Sequence, residues 1–226
     1  MIPFVHLHVH SYYSLLDGQA SISRLVDKAM ADGMRGMALT DHGNMMGIKD
    51  FFNYVSKKKG GAAKDKKAAE AKLAALRDGS YQNAPDEKEV NPDAGKTNEE
   101  LIAECEKKIE KAQRILDFKP IFGCEMYCAR RTKADKKTKE DRSGWHLVVL
   151  AKNETGYHNL VKLVSRSWID GFYMKPRTDK ADLEQFKEGL IISSACLGGE
   201  IPRKILTGDL QGAEEAVMWF KKTFGD

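Results

Sequence analysis

Cysteine is scarce in this chain, and its four copies (Cys105, Cys124, Cys128 and Cys196) form no C-x-x-C pair. A disulfide framework is therefore not expected; a reducing, cytoplasmic setting is. Long apolar runs are missing too. None approaches the roughly 18 residues that a membrane-spanning helix needs, so no membrane partner is expected. The N-terminus lacks a basic segment followed by an apolar one, which argues against a signal peptide. Neither sign of charge dominates: 37 basic and 33 acidic residues leave +4, which permits a nucleic-acid partner without requiring one. What remains is ample for a core. The 226 residues, 42% hydrophobic and 31% charged, suit one large domain or two small ones.

The densest chemical feature lies near the start. The run His6-Leu7-His8-Val9-His10 holds three of the chain's six histidines at alternating positions. Such alternation predicts a β-strand with Val5, Leu7 and Val9 on one face and three imidazoles on the other. Neutral imidazole is the commonest protein ligand for zinc-like ions, and two of them at i and i+2 on a rigid strand can grip one ion. A solvated polar face is the plainer alternative, yet none of the three is Lys, Thr or Glu.

A helix follows, with Ile22, Leu25, Val26, Ala29 and Met30 on one face and Gly33 as its stop. Gly36–Leu39 reads as a strand buried on both faces, ending at Thr40-Asp41-His42-Gly43-Asn44, and a second helix runs from about Met46 to Lys57. Strand–helix alternation of this kind predicts parallel strands with helices outside. From about 57 to 115 the composition turns to Lys, Ala, Asp, Glu and Gly, which reads as a charged helical or flexible insertion. Within it, 62–76 predicts a solvated helix, 78–96 a flexible loop, and Thr97–Glu100 a capping box opening a helix through Leu116. The lysine runs of this stretch read as solvated surface.

Lys119–Cys128 predicts a further strand. Its Glu125 is a lone carboxylate in an apolar run, costly to bury unless paired or metal-bound, while Cys124 and Cys128 fall on the opposite face as small core residues. Residues 130–142 form a basic loop without periodicity. Trp145–Ala151 is another buried strand, Glu154–Trp168 a helix carrying a surface His158, and Gly171–Arg177 an aromatic, cationic loop suited to packing or to DNA contact. Leu190–Ser194 makes a fifth strand, running into the glycine loop Ala195–Glu200. Helices over 201–206 and 210–224 complete the pattern, and an ending on a helix suggests that further strands follow.

On this scaffold His8 and His10 end the first strand and Asp17 lies in the loop beyond it. His42 follows the second strand, Glu125 ends the third, His146 starts the fourth and Cys196 follows the fifth. Barrel-like α/β folds build their sites at the C-terminal strand ends. Only His146 is misplaced, and a boundary error of a few residues would correct it.

The segments His6–Ser11, Thr40–Asn44, Gly123–Tyr127, Gly156–Leu160 and Ala195–Pro202 together resemble the PHP (polymerase and histidinol phosphatase) domain. The closer resemblance is to the version at the N-terminus of the bacterial replicative DNA polymerase III alpha subunit. Phe172–Arg177 also resembles the family, and only about 57–115 stands outside the likeness. The resemblance implies an α/β, distorted (β/α)7 TIM-like barrel, here truncated before its last strands. It implies a divalent metal cluster on His8, His10, Asp17, His42, Glu125, His146 and Cys196, with two further ligands in a D-x-H beyond Asp226. Glu125, His10 and His42 would carry catalysis through the bound metals. His6 falls where many members have Asp and is expected to support the ligands from deeper in the barrel, and Asp41 to orient them. The donor set favours zinc, then manganese or iron. The implied activity is a metal-dependent phosphodiesterase, a 3′–5′ exonuclease proofreading the primer 3′ end of DNA. The parent would be a DNA-directed DNA polymerase working with other replicase subunits. No D-x-D occurs in the chain, so the polymerase site itself lies elsewhere. Two other readings stay open: a scaffold docking a separate proofreading exonuclease, and a stand-alone phosphoesterase of histidinol phosphatase type. An amidohydrolase, which shares H-x-H, fits the stretch after the second strand poorly.

Overall fold

A computed structural model describes residues 4–81 and 93–225. Much of the loop expected over 78–96 therefore lies outside the described residues. The described residues begin with an irregular segment of bends and turns and then form α1 (Ile22–Ala31), β1 (Gly36–Leu39) and α2 (Ile48–Asp78). Next come α3 (Asn98–Asp117), β2 (Lys119–Ala129), β3 (Gly144–Ala151) and α4 (Glu154–Ile169). The last elements are β4 (Arg177–Thr178), α5 (Lys180–Gln185), β5 (Leu190–Ser193), α6 (Glu200–Leu206) and α7 (Leu210–Phe224).

Capping residues set several of the boundaries. The Ser21 side chain accepts from the Arg24 N–H at the start of α1, and Asn153 does the same for Gly156 at α4. Thr97 and Glu100 close a reciprocal capping box at α3, as their spacing predicts. The helix expected over 62–76 is part of a longer one: α2 runs unbroken through Gly60-Gly61, with Ile48, Phe51 and Val55 buried in the core at its near end. Its far end packs on α3, where Leu76, Leu101 and Cys105 form a small cluster of their own.

The sheet runs β1-β2-β3-β5, with β4 also on β2, and it is mixed and open. β1 and β4 pair parallel with β2, whereas β2–β3 and β3–β5 are antiparallel. This corrects the all-parallel expectation. The reason lies in the connections. A parallel pair needs a long crossover, and α2 with α3 provides one between β1 and β2. Residues 130–143 hold only a one-turn 3-10 helix (Glu140–Arg142), so β3 returns directly against β2.

The histidine segment corrects the expectation in a second way. It forms only an isolated bridge, His6 with Met37, and no regular strand. The Ala38 and Thr40 N–H groups donate to His6 and Val9 carbonyls at 2.8 and 2.9 Å, so the segment does lie along β1. The Val9 N–H, however, goes to the Thr40 side-chain hydroxyl at 2.9 Å, and the ladder stops there. The core has two main bodies: Cys124, Met126, Cys128, Leu147, Val149, Leu160 and Leu163 around β2, β3 and α4, and a second formed by α1, β1 and the start of α2, with Met45 packed against both.

Candidate metal centre

Glu125 is the centre of the site. It projects from β2 on the face opposite Cys124 and Met126, which pack into the core. Only 1% of its side chain is exposed, a burial that an isolated carboxylate does not tolerate. Four imidazoles surround it. His8 Nε2 and His10 Nε2 each lie 3.2 Å from Oε2, His42 Nδ1 lies 2.7 Å from the same oxygen, and His146 Nδ1 lies 2.9 Å from Oε1. Burial alone would push the Glu125 carboxyl up. Contact with His10, His146, His42 and His8 outweighs that and holds it far below the usual carboxylate range. In turn the Glu125 carboxylate raises His42 above its ordinary value, against the lowering effect of burial, and Asp17 adds to the rise.

The remaining donors close around this centre. Asp17 Oδ2 is 2.7 Å from His42 Nε2 and is the open side of the site, 57% exposed. Cys196 Sγ lies 3.8 Å from Glu125 Oε1 and 3.6 Å from His146 Nδ1. Three sets of potential ligand atoms fall within 4.8 Å of one another: His8, His10 and Glu125; His10, Asp17 and His42; His42, Glu125 and His146. The sets share members, as the sites of a multinuclear cluster do. A further observation fits a divalent ion. His42 Nδ1 and Glu125 Oε2 are both buried and close together, yet neither makes a hydrogen bond. Three ring nitrogens thus crowd one carboxylate oxygen without hydrogen-bonding to it, as donor atoms do when they converge on a cation.

The backbone explains why these residues meet. The Glu125 N–H donates to the Asp41 carbonyl at 3.1 Å and the Gly43 N–H to the Glu125 carbonyl at 2.8 Å, so His42 is carried along the edge of β2. His146 reaches Glu125 because β3 is antiparallel: Tyr127 faces His146 across the pair, and Glu125 is its diagonal neighbour on the same face. β5 runs antiparallel to β3 in turn, so the loop after it arrives beside the start of β3. There the His146 N–H donates to the Gly198 carbonyl at 3.0 Å, and a Cβ on Gly198 would stand 3.0 Å from the His146 ring. That contact would be tighter than ordinary packing, so glycine suits the close approach that brings in Cys196.

The chain matches the PHP domain family over residues 6–226. It belongs to that family. Among curated proteins it is 39% identical to DNA polymerase III subunit alpha of Borreliella burgdorferi, over 99% of this chain and 14% of that protein. The alpha subunit of Treponema pallidum is 37% identical over 98% of this chain and 14% of its own length. That of Thermus aquaticus is 32% identical over 100% and 14%. The chain therefore spans about one seventh of the relatives it matches, and it is homologous to the PHP region of DNA polymerase III alpha subunits.

In this PHP chain all seven side chains named from the sequence come together. His6 does not join them. It is exposed, packs edge-on against Phe4 and does not reach Glu125, which corrects the expectation that it supports the ligands from within a barrel. Cys124 and Cys128 are fully buried, and burial pushes the Cys128 thiol up to about 12. Arg177 is wholly buried, so of the 171–177 loop it is unavailable to DNA; its guanidinium donates to the carbonyls of Gly171, Asp135 and Lys133 at 3.1, 3.0 and 2.8 Å. Sequence reasoning passed over Ser11 and Ser14. Both are fully buried and bind the carboxylate of Asp41, and their only signal was two small polar residues within four positions of His10. No described helix is long and apolar enough to cross a membrane.

Proposed function

We propose that this PHP chain is the metal-binding N-terminal module of a DNA polymerase III alpha subunit, a DNA-directed DNA polymerase, and that it acts as a 3′–5′ exonuclease on mispaired primer ends. The observation that carries this reading is the convergence of four imidazoles on the buried Glu125 carboxylate. His8, His10, Asp17, His42, Glu125, His146 and Cys196 would hold the divalent ions. Imidazole, carboxylate and a single thiolate favour zinc, with manganese or iron next. Once bound, the ions supply Lewis-acid activation of water and of a phosphate ester.

The chain's own residues divide the rest of the work. Glu125 presents Oε2 to His8, His10 and His42 and Oε1 to His146 and Cys196, so one carboxylate serves both halves of the site. The His10 and His42 rings stack at 4.2 Å between centroids, which fixes both planes. Asp17 Oδ2, beside His42 Nε2 on the exposed side, is placed to take a proton from an incoming water. The partners under this reading are the primer 3′ end of DNA and the other replicase subunits, in the cytoplasm; a separate proofreading exonuclease is the partner under the scaffold reading. The open sheet is read as part of a distorted (β/α)7 barrel, with 57–115 as an insertion into it.

The test supplies zinc or manganese to the chain, and to the full subunit carrying it, with a labelled primer whose 3′ end is mispaired. Release of 3′ nucleotides is expected, with loss of that activity in the His8→Ala, His10→Ala double variant. Metal retained without nucleotide release would favour the scaffold reading. Turnover of small phosphate esters alone would favour the histidinol phosphatase type.

A further inference from the structure

Ser14 sits behind the site with no exposed surface, and its hydroxyl is fully committed. It donates to Asp41 Oδ1 at 2.7 Å and accepts from the His42 backbone N–H at 3.1 Å. Its third neighbour is His10 Nδ1, at 3.0 Å. A hydroxyl has one hydrogen and two lone pairs. The hydrogen belongs to Asp41, since an ionised carboxylate can only accept. That carboxylate is itself locked in place by the Ser11 N–H at 2.6 Å and the Ser11 hydroxyl at 2.8 Å. One lone pair takes the His42 N–H. Only the second lone pair is left for His10, so the ring nitrogen must be the donor.

We infer that Ser14, held by Asp41, makes His10 Nδ1 the hydrogen-bond donor, so that the neutral ring carries its hydrogen there and presents Nε2 as the ligand atom. His10 Nε2 lies 3.1 Å from His8 Nε2 and 3.2 Å from Glu125 Oε2, the point on which the first ligand group closes. In the other tautomer a hydrogen would occupy that direction and no lone pair would face the ion. The same hydroxyl anchors the backbone of His42, so one side chain aligns two ligands from separate segments. Ser14 is thus a positioning residue. Its tautomer role stands on hydrogen bonding alone, while its effect on metal affinity rests on the metal reading above.

The test uses the 15N-labelled, metal-free chain at mildly alkaline pH, with long-range 15N–1H correlation of the imidazoles. His10 should show a protonated Nδ1 and an unprotonated Nε2. Ser14→Ala should lose that pattern and weaken zinc binding, measured by chelator competition, by about 10–100-fold. Ser14→Thr, which keeps the hydroxyl, should restore the pattern. If Ser14→Ala does not fold, the wild-type spectrum decides alone. A protonated Nε2 in the wild type, or a Ser14→Ala variant with unchanged spectrum and affinity, would overturn the inference. A wild type that binds no zinc but shows the expected His10 pattern would overturn the metal reading and leave the tautomer assignment standing.

Discussion

Replacing Glu125 by Gln keeps the shape of the central side chain and removes its charge. In the metal-free protein the four imidazoles lose their anionic partner; in the metal-loaded protein the ions lose the one carboxylate that belongs to two of the three ligand groups. The consequence is measurable as a metal-induced change in melting temperature. A ligand at about 1,000 times its Kd stabilises the folded state by about 4 kcal/mol. For a chain of this size that corresponds to about 8–16 °C. Loss of the shared carboxylate should weaken zinc by at least about 100-fold, or about 2.7 kcal/mol. The zinc-induced rise in Glu125→Gln should then shrink to about 3–6 °C at the same zinc concentration. Each variant is compared with its own chelated form, so any change in baseline stability cancels. Differential scanning fluorimetry against a zinc titration suffices. A variant that keeps the full wild-type rise would refute the placing of Glu125 at the heart of the site, however close the imidazoles stand.

Four further outcomes follow from the geometry. The metal-free and zinc-bound proteins should respond to pH in opposite senses. His42 is raised above its ordinary 6.5, so its pairing with Glu125 stabilises the metal-free fold below that value and is lost as pH rises through the raised one. Glu125 is held low, so its share is present above its ordinary 4.5 and is lost only as pH falls through the lowered value. Metal-free melting temperature should therefore fall from pH 6 towards pH 9 while the zinc-induced rise grows, because imidazoles must shed protons to bind; parallel trends would contradict this. Cys196 is the one exposed thiol of the four, and it should react fastest with a thiol reagent and be slowed by zinc; equal rates with and without zinc would remove it from the site. Arg177→Met strips three carbonyls of their buried donor and should destabilise by about 3 kcal/mol, read by urea unfolding; a change under about 0.5 would mean water replaces it easily. Gly60→Ala, in mid-helix with open space around its Cβ, should stabilise α2 by about 0.8–1 kcal/mol, read by hydrogen exchange of α2 amides; a loss would assign the glycine a purpose that its surroundings do not reveal.

The sequence carried the ligand residue types, and the structure carried the reasons they meet. Periodicity and caps located most elements within a residue or two: Gly36–Leu39, the capping box at Thr97 and the helix over 210–224 all stand where their patterns placed them. Alternation around His6, His8 and His10 predicts a strand, but the backbone bends at Leu7 and His8, Leu7 is exposed, and the Thr40 hydroxyl takes the Val9 N–H, none of which the pattern could reveal. Strand direction was the larger omission. An apolar run reads the same in either direction, so β3 could be recognised without knowing that it turns back along β2. The misplacement of His146 followed from that. A residue at the beginning of a parallel strand would lie at the far end of the sheet from Glu125, and no shift of boundary by a few residues would bring it across.

Antiparallel pairing removes the difficulty without moving any boundary, because the start of β3 lies against the end of β2. The same reversal explains Cys196. β5 runs against β3, so its end returns to the level of His146, and the loop after it needs only Gly198 to fit under the imidazole ring. Two strand reversals thus bring the beginning of one strand and the end of another to the same carboxylate. A single-residue signal for this was available in the chain. His146 starts its strand while its partner Glu125 lies towards the end of its own, and that offset is what a return strand produces. A misfitting ligand was therefore better evidence about strand direction than about strand boundaries.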